Sequence, residues 1–572
     1  MGFAPQLMTQ TARRNTQAHR SGVVDEVAHA TGDAAVLYHW LKEELLRDGP
    51  AALLQLQSQG QQWMQDMGVT FSLHQQSQSG DHVVPFDPFP RIIGQDEWDR
   101  LQRGIRQRLA IWNAFLKDIH STQEVLRANI IPYHWVYDDP NYHRGAVDVP
   151  VPGEIFAHVA AFDLVRLTDG GWVVTRDMIS FTTGAIYAVQ ARNVLQHIAP
   201  ALLEAASLHS VDDYPTRLLE HLRRIAPGAS SEHRVALFSP GPSDHAYYEH
   251  SSLARQMGVP LLQGGDLTVL NSRVYFKTIG GLEPIDVLYR RMDEVLLDPL
   301  EFSAGSQAGV AGLMNCVRKG TVAVANAMGA ALGDNRAISA MMPRLARFYF
   351  NEPLLLPTCE RFLLEDQDQR EFVHGGLENY HIVPLHSRAP TQAWSGDQLS
   401  RNERRALWER VLKSPGQFVA EPQLPLNLLP TITPDGLAMR HAGLRLFALG
   451  GEEGGVTPCA LTRYSSQANN RAISSGLGGG IKDTWILQSV QEAEAERPIV
   501  IRSGQRRLRL GSRSADSLYW IGRYGERAEN LTRALQVLQT DSLSRHSRVA
   551  AEDRGPLFEA LAMLGGHRSG YY

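Results

Sequence analysis

The sequence predicts a mixed α/β protein, and three stretches predict it. Arg234–Phe238 is an apolar run, Ser239-Pro-Gly-Pro-Ser243 a sharp turn, His245–Met257 a helix and Pro260–Leu262 a second strand. That succession is the β-turn-α-β unit of a parallel sheet. Phe156–Asp163 and Trp172–Val174, joined at Asp169-Gly-Gly171, read as a hairpin. From Trp98 onward, Leu101, Ile105, Leu109, Trp112, Leu116 and Ile119 step by three or four, the buried face of a long helix.

The remaining elements follow in order. Met1 to about Gly32 carries Arg13, Arg14 and Arg20 and no apolar core of a signal sequence, so it is expected to be disordered and not secretory. Ala34–Arg47 and the Gln-rich Gln55–Gln65 read as helices, and Gln75–Asp81 as a loop. Val84–Pro90 is an extended, proline-fixed entry to the long helix, whose first turn holds Asp96 and Glu97 where the helix dipole favours them. Residues 195–225 read as helical, Leu267–Thr278 as a hairpin, Ile285–Tyr289 as a strand, and 306–350 as alternating helix and strand. The pattern loosens from Glu352 to Arg440; short strands and Gly-rich turns then run to Trp485–Leu487. A charged linker, Glu492–Pro498, precedes a last helix of about Ser514–Leu538, with Ser512 or Ser514 as N-cap and Leu518, Ile521, Ala528, Leu531, Leu535 and Leu538 at helical spacing. The expected organisation is 1–32 disordered, 33–130 helical, 131–490 the α/β core, 491–511 linker and 512–572 a helical segment.

Composition narrows the function. The 572 residues carry a net charge of −5, so no blanket basic field points to nucleic acid. No apolar run approaches the roughly 18 residues of a membrane span. The three cysteines, Cys316, Cys359 and Cys459, form no CxxC pair; neither a zinc site nor a disulfide framework is expected, and a reducing cytoplasm fits. Lysines stand only at positions 42, 117, 277, 319, 413 and 482, and every other basic residue is arginine.

Few groupings could carry chemistry. Gly476-Leu-Gly-Gly-Gly-Ile-Lys482-Asp483 offers inward-turning N–H groups and a lysine, an anion cradle or a flexible turn, without the order of a Walker A loop. Tyr289-Arg-Arg-Met-Asp293 ends a strand, where α/β sheets place ligands; Arg290, Arg291 and Asp293 would hold a carboxylate or phosphate, or form an interdomain salt-bridge cluster. His245, Glu249 and His250 are metal-ligand types, but Glu249 and His250 are adjacent and leave a helix on different sides, which favours structural roles. Asp163, near Arg166, and Asp334, after Gly333, have no evident partner.

Phe86-Asp-Pro-Phe-Pro90 with Gln107-Arg108, Phe162-Asp-Leu-Val-Arg166, Ser239-Pro-Gly-Pro242 with Ala246-Tyr-Tyr-Glu-His250, Asp286-Val-Leu-Tyr-Arg-Arg-Met-Asp293, Gly309-Val-Ala-Gly-Leu313, Leu444-Arg445, Leu461-Thr-Arg463 and Gly478-Gly-Gly-Ile-Lys-Asp-Thr-Trp485 occur in this order over about residues 84–487. Together they resemble the circularly permuted type 2 ATP-grasp proteins. The final helix, with Ser512-Arg513, Leu518-Tyr-Trp-Ile-Gly-Arg-Tyr524 and Glu526-Arg-Ala-Glu529, resembles the opening of the alpha-E domain often fused behind them. The resemblance implies an ATP-grasp-like fold with a helical N-terminal extension, and an ATP- and Mg²⁺-dependent ligase that joins a carboxylate to an amine. It implies a peptide or small amino compound as substrate, and a paralogous ATP-grasp or alpha-E protein as partner.

Against that pattern the nucleotide side has changed. The family's Glu-Asp-Asn metal motif reads Arg176, Asp177, Met178; its Asp-Asp-Lys reads Asp334, Asn335, Arg336; a phosphate-binding lysine reads Val383; further family Asp and Asn positions read Gly443 and Ser474. Two readings follow. In the first, a ligase keeps Asp177 and Asp334 on the metal, Arg176, Arg336, Gly478, Gly479, Gly480 and Lys482 on phosphate, and Arg290, Arg291, Asp293 and Arg445 with the substrate. In the second, a non-catalytic relative binds an acidic peptide or an active paralogue.

Overall fold

The computed structural model describes residues 25–71, 82–228, 233–385, 393–434, 436–467, 473, 479–489, 511–543 and 555–556. The chain divides into two compact units, Met1–Leu508 and Arg509–Tyr572.

The first unit is organised by a seven-stranded sheet. Its strands run in the spatial order Phe86–Ile93, Gly480–Ile486, Gly455–Tyr464, Gly436–Leu449, Val159–Arg166 and Trp172–Met178, with Leu428–Thr433 also paired to Gly436–Leu449. Phe86–Ile93 lies at the edge and pairs parallel to Gly480–Ile486; the other pairings are antiparallel. Edge placement is what lets a strand containing Pro88 and Pro90 form at all, because proline cannot donate to an inner ladder.

Strand alternation sends side chains to two cores. Phe162, Leu164, Leu444 and Leu446 meet Trp98, Ile105, Leu109 and Trp112 of the helix Gln95–Ile119. Val159, Ala161, Phe447 and Leu461 meet Ile186, Val189 and Val194 of the helix Ala185–Ile198. Tyr38, Leu41 and Leu53, from the helices Gly32–Leu46 and Gly49–Asp66, join this second core, so the N-terminal helices share a core with the central sheet.

A four-stranded parallel sheet follows the order Ala323–Ala325, Val287–Arg290, Val235–Phe238, Leu261–Leu262. The helix Tyr247–Met257 connects its last two strands. An antiparallel three-stranded meander, Leu267–Leu270, Arg273–Thr278 and Gly281–Pro284, stands beside it.

Three expectations change. Residues 195–225 are broken into helices ending at Ile198, spanning Pro200–Glu204 and spanning Tyr214–Arg224, with Pro200 and Pro215 each opening a new first turn. The weakly patterned 352–440 region contains a further antiparallel sheet, ordered Phe362–Leu363, Phe418–Pro422, Tyr380–Pro384, Trp394–Ser395 and backed by the helices Gln367–His374 and Arg401–Lys413. Strands this short leave almost no periodicity to read. Residues 25–32 are not disordered: Glu26 is buried, its carboxylate gripped by Arg91 at 2.8 and 2.6 Å, and its N–H donates to Leu428 O. The expected disorder of residues 1–24 and the linker over 490–510 lie outside the described residues.

The second unit contains the helix Ser512–Leu543. Leu518, Tyr519, Ile521, Tyr524, Leu535 and Val537 are exposed on it. Among the described residues no helix is long and apolar enough to cross a membrane.

Candidate functional site

The strand register brings arginines together. Asp163 stands opposite Arg445 on one neighbour and opposite Arg176 on the other. Arg445 donates from Nε and Nη2 to the two Asp163 oxygens at 2.6 and 2.8 Å, a bidentate pair. Arg463, one strand further, adds a contact from Nη2 to Asp163 Oδ1 at 2.9 Å. Burial pushes the Asp163 carboxyl up, but Arg445 and Arg463 outweigh it and hold the group well below the usual carboxylate range. Arg445 also donates from Nη1 to Thr183 O at 2.7 Å. Gly184 follows with φ +114°, and a Cβ there would lie 3.0 Å from Leu461 and 3.5 Å from the Arg445 side chain. Glycine suits that backbone and that gap.

A second bank comes from other elements. Arg336, in the first turn after its N-cap Asn335, donates to Glu421 Oε1 at 2.9 Å. Arg361 donates to the same oxygen at 2.8 Å, to Ser339 Oγ at 3.0 Å and to Thr175 O at 2.5 Å. Burial raises the Glu421 carboxyl, yet Arg336 and Arg361 bring it down to about 2. Arg176 joins the two banks: burial and then the Arg336 charge lower its guanidinium to about 10, with Asp163 and Asp334 opposing. Five guanidinium groups (Arg176, Arg336, Arg361, Arg445, Arg463) thus face three carboxylates (Asp163, Asp334, Glu421). The excess is positive and partly buried, which favours an anion.

The expected metal ligands do not come together. Asp177 alternates to the opposite face from Arg176, where Arg108 donates to both its oxygens at 2.5 and 2.8 Å and Ser339 Oγ donates at 2.6 Å. Burial raises this carboxyl and Arg108 outweighs it, so both oxygens are anionic and occupied. Asp334 accepts the Ile179 and Ser180 N–H groups at 2.7 and 3.2 Å; burial, only partly offset by those bonds and Arg176, raises its carboxyl to about 6. One carboxylate committed to Arg108 and one that accepts two backbone N–H groups beside guanidinium groups do not fit Mg²⁺, which needs several hard oxygen donors. Among the described residues no group of three His, Cys, Asp or Glu side chains is arranged to hold a metal. Met178, where the family has a ligand, is packed in the apolar core beside Ala185 and Ile186.

The expected phosphate cradle is also redistributed. Lys482 is fully buried; its ammonium donates to Asp87 Oδ1, to Pro430 O at 2.9 Å and to Phe89 O at 3.2 Å, and sits over the Tyr464 ring. Burial lowers its pKa against the pull of Asp87. It ties three strands together, and its three hydrogen bonds all go to groups of the protein. Gly480 begins a strand against Tyr464, whose hydroxyl a Cβ would meet at 2.3 Å. Gly479 is buried beside it, and Gly478 and Ser474 lie outside the described residues. The rest of that signature is likewise internal: Asp483 accepts from Arg192 at 2.6 Å and from Trp485 at 2.9 Å, and Thr484 bonds Thr462 at 2.8 Å.

Arg290 and Arg291 diverge. Arg290 is fully buried and donates to Asn326 O, Met292 O and Glu294 Oε1 at 2.8, 2.9 and 2.7 Å. Arg291 turns to Glu249 and Tyr289. Asp293 is half-buried and opens the short 3₁₀ turn Glu294–Leu296. Of the expected set, the structure therefore gathers Arg176, Arg336, Asp334 and Arg445. Arg463, Arg361 and Glu421 were missed. The alternation Leu461, Arg463 on a strand could have flagged Arg463 beside Arg445, whereas nothing local marks Glu421.

Residues 90–465 match the family model described as circularly permuted ATP-grasp type 2, and residues 510–570 match that of alpha-E, an alpha-helical domain with a conserved ER motif. An uncharacterized Mycobacterium tuberculosis protein, Rv2411c, is 36% identical over 431 residues, which is 75% of this chain and 78% of that protein. An uncharacterized Synechocystis protein, sll0335, is 33% identical over 469 residues, 81% of this chain and 97% of that protein. A Frankia casuarinae protein provisionally named glutamate–cysteine ligase 2-2 is 32% identical over 490 residues, 85% of this chain but only 56% of that longer protein.

Proposed function

The chain belongs to the circularly permuted ATP-grasp type 2 family, and on that premise we propose that it binds a polyanion of phosphate or carboxylate chemistry at the arginine cluster, without the divalent metal on which ATP-dependent ligation relies. The observation that supports this is the charge arrangement itself. Arg445 and Arg463 share Asp163, Arg336 and Arg361 share Glu421, and Arg176 lies between these banks as a further half-buried cation. A ligand oxyanion there would receive bidentate guanidinium bonds in a partly buried site, and would relieve the mutual repulsion of Arg176 and Arg336. Asp177, the carboxylate whose place in the family motif is a metal ligand, is closed off by Arg108 and Ser339. An acidic peptide, or the carboxylate and phosphate groups of a small amino compound, suits the site.

Calorimetry decides. Pyrophosphate and ATP should bind with the same affinity in EDTA and in millimolar Mg²⁺, and Arg463→Ala should weaken both. Magnesium-dependent binding accompanied by release of phosphate would instead establish the ligase reading, in which Asp334, coupled to Arg176, is the remaining candidate metal ligand.

A further inference from the structure

One hydroxyl ties the arginine cluster to the buried pair of Arg108 and Asp177. Ser339 follows Arg336 on the helix Arg336–Ala340, whose N-cap Asn335 accepts the Ala337 and Ile338 N–H groups at 2.8 and 3.2 Å. Asn335 Nδ2 in turn donates to Asp139 Oδ2 at 2.6 Å, so the start of this helix is fixed. The helix carries Ser339 into the interior and leaves the Arg336 side chain 15% exposed.

A serine hydroxyl has one proton and two lone pairs. The proton goes to Asp177 Oδ2 at 2.6 Å, because an ionised carboxylate only accepts. The lone pairs accept Arg361 Nη1 at 3.0 Å and Arg108 Nη2 at 3.2 Å, groups that only donate. The direction of every bond is therefore set, and the hydroxyl has no capacity left.

Arg361 carries this order outward. Its Nε donates to Glu421 Oε1 at 2.8 Å and its Nη2 to Thr175 O at 2.5 Å, so with Ser339 all three of its nitrogens are engaged within the protein. Glu421 Oε1 also accepts Arg336 Nη1 at 2.9 Å. The path runs from Ser339 through Arg361 and Glu421 to Arg336. Along it Arg108 offsets Asp177 and Arg361 offsets Glu421, and the charge left over is that of Arg336. The Arg361 side chain is only 1% exposed, whereas Arg336 reaches the surface and stands near enough to Arg176 for its charge to lower that guanidinium.

We propose that Arg336 is the arm of the arginine cluster that meets the ligand, and that Ser339 and Arg361 are positioning residues that hold it in place without touching the ligand. The inference rests on the anion-site reading above. A guanidinium already fixed through its carboxylate partner loses little conformational freedom when an oxyanion arrives, so the order built behind it appears as affinity.

Pyrophosphate is the probe, titrated by calorimetry into the full chain at a temperature where each variant is folded. Arg336→Ala removes the arm and should raise the Kd about tenfold, the equivalent of one charge-assisted hydrogen bond. Ser339→Ala leaves every charge in place and should still raise it about fivefold, a coupling expected within one hydrogen-bond network. Added to Arg336→Ala, Ser339→Ala should change the Kd by less than about twofold, because the arm through which it acts is gone. A merely structural serine would weaken binding by the same factor in both backgrounds. Arg361→Lys keeps the charge but cannot make the three bonds at once; it too should raise the Kd about fivefold, and it carries the test if Ser339→Ala does not fold. Either variant binding as wild type does, or Ser339→Ala weakening binding equally in both backgrounds, overturns the positioning role and leaves the anion site standing. A wild-type chain that takes no pyrophosphate, or one in which Arg336→Ala and Arg463→Ala are both without effect, overturns the anion site and this inference with it.

Discussion

Lys482→Met separates the two roles that this lysine could have. The ammonium is held by Asp87, Pro430 O and Phe89 O, and all of these groups are buried. Asp87 also accepts the Phe89 N–H at 2.9 Å and the Ile432 N–H at 2.6 Å, so its carboxylate anchors the edge strand and the strand Leu428–Thr433 at once. Removing the cation leaves that carboxylate buried and uncompensated, which costs about 3–5 kcal/mol. At roughly 2–4 °C per kcal/mol for a sizeable domain, the thermal midpoint should fall by about 10 °C. Adding Asp87→Asn to the same chain removes the stranded charge and should recover about half of the loss. The assay is a thermal melt of the two variants beside wild type, followed by pyrophosphate calorimetry at a temperature where each is folded. Binding should be unchanged within twofold. A Lys482→Met protein that melts within about 2 °C of wild type but no longer binds pyrophosphate would refute the assignment of Lys482 to the core.

Three further outcomes follow from buried charges. Burial lowers His158 to about 3 and, with Arg224, His221 to about 4, their rings 5.6 Å apart. The unfolded state takes up these protons first, so stability falls as pH drops below the ordinary value of 6.5; each ring costs about 1.4 kcal/mol per pH unit, and His158→Gln should flatten the urea-denaturation profile between pH 6 and 4.5. Asp334 is raised to about 6, so its carboxyl favours the folded state below that pH and loses the advantage above it; protonation also removes a negative charge from the arginine cluster. Pyrophosphate should therefore bind about tenfold tighter at pH 5 than at pH 7 after correction for its own ionisation, and Asp334→Asn should abolish the difference. Arg108→Met strands Asp177 in the core and should cost about 3–5 kcal/mol in chemical denaturation, whereas the conservative Asp177→Asn should leave pyrophosphate binding and its indifference to Mg²⁺ unchanged.

Long-range order explains what could be read in advance. The helix Gln95–Ile119, the hairpin at Asp169–Gly171 and the strand–helix–strand unit ending at Leu262 were legible because each depends on local spacing or turn chemistry. The sheet at 362–422 was not, because its strands of two to five residues gain their stability from pairing across a long loop. The site was legible only in pieces. Arg445, Arg176, Asp334 and Arg336 could be singled out one by one, yet Asp163 had no visible partner. Its partner lies 282 residues away.

The same limit governed Lys482 and Asp177. Their residue types suggested phosphate and metal chemistry, and a one-dimensional reading cannot say on which side of a strand a buried charge will meet its counter-ion. Alternation put Arg176 toward the arginine cluster and its neighbour Asp177 toward Arg108. The amino-acid sequence by itself determined the family, the elements set by local spacing and turn chemistry, and the surplus of arginine over lysine. Only the tertiary structure decided which arginines converge, which carboxylates are already spent on them, and that Lys482 holds strands together. Those outcomes rest on contacts between residues hundreds of positions apart, in an interior where a charge without a partner costs more than any local preference can supply.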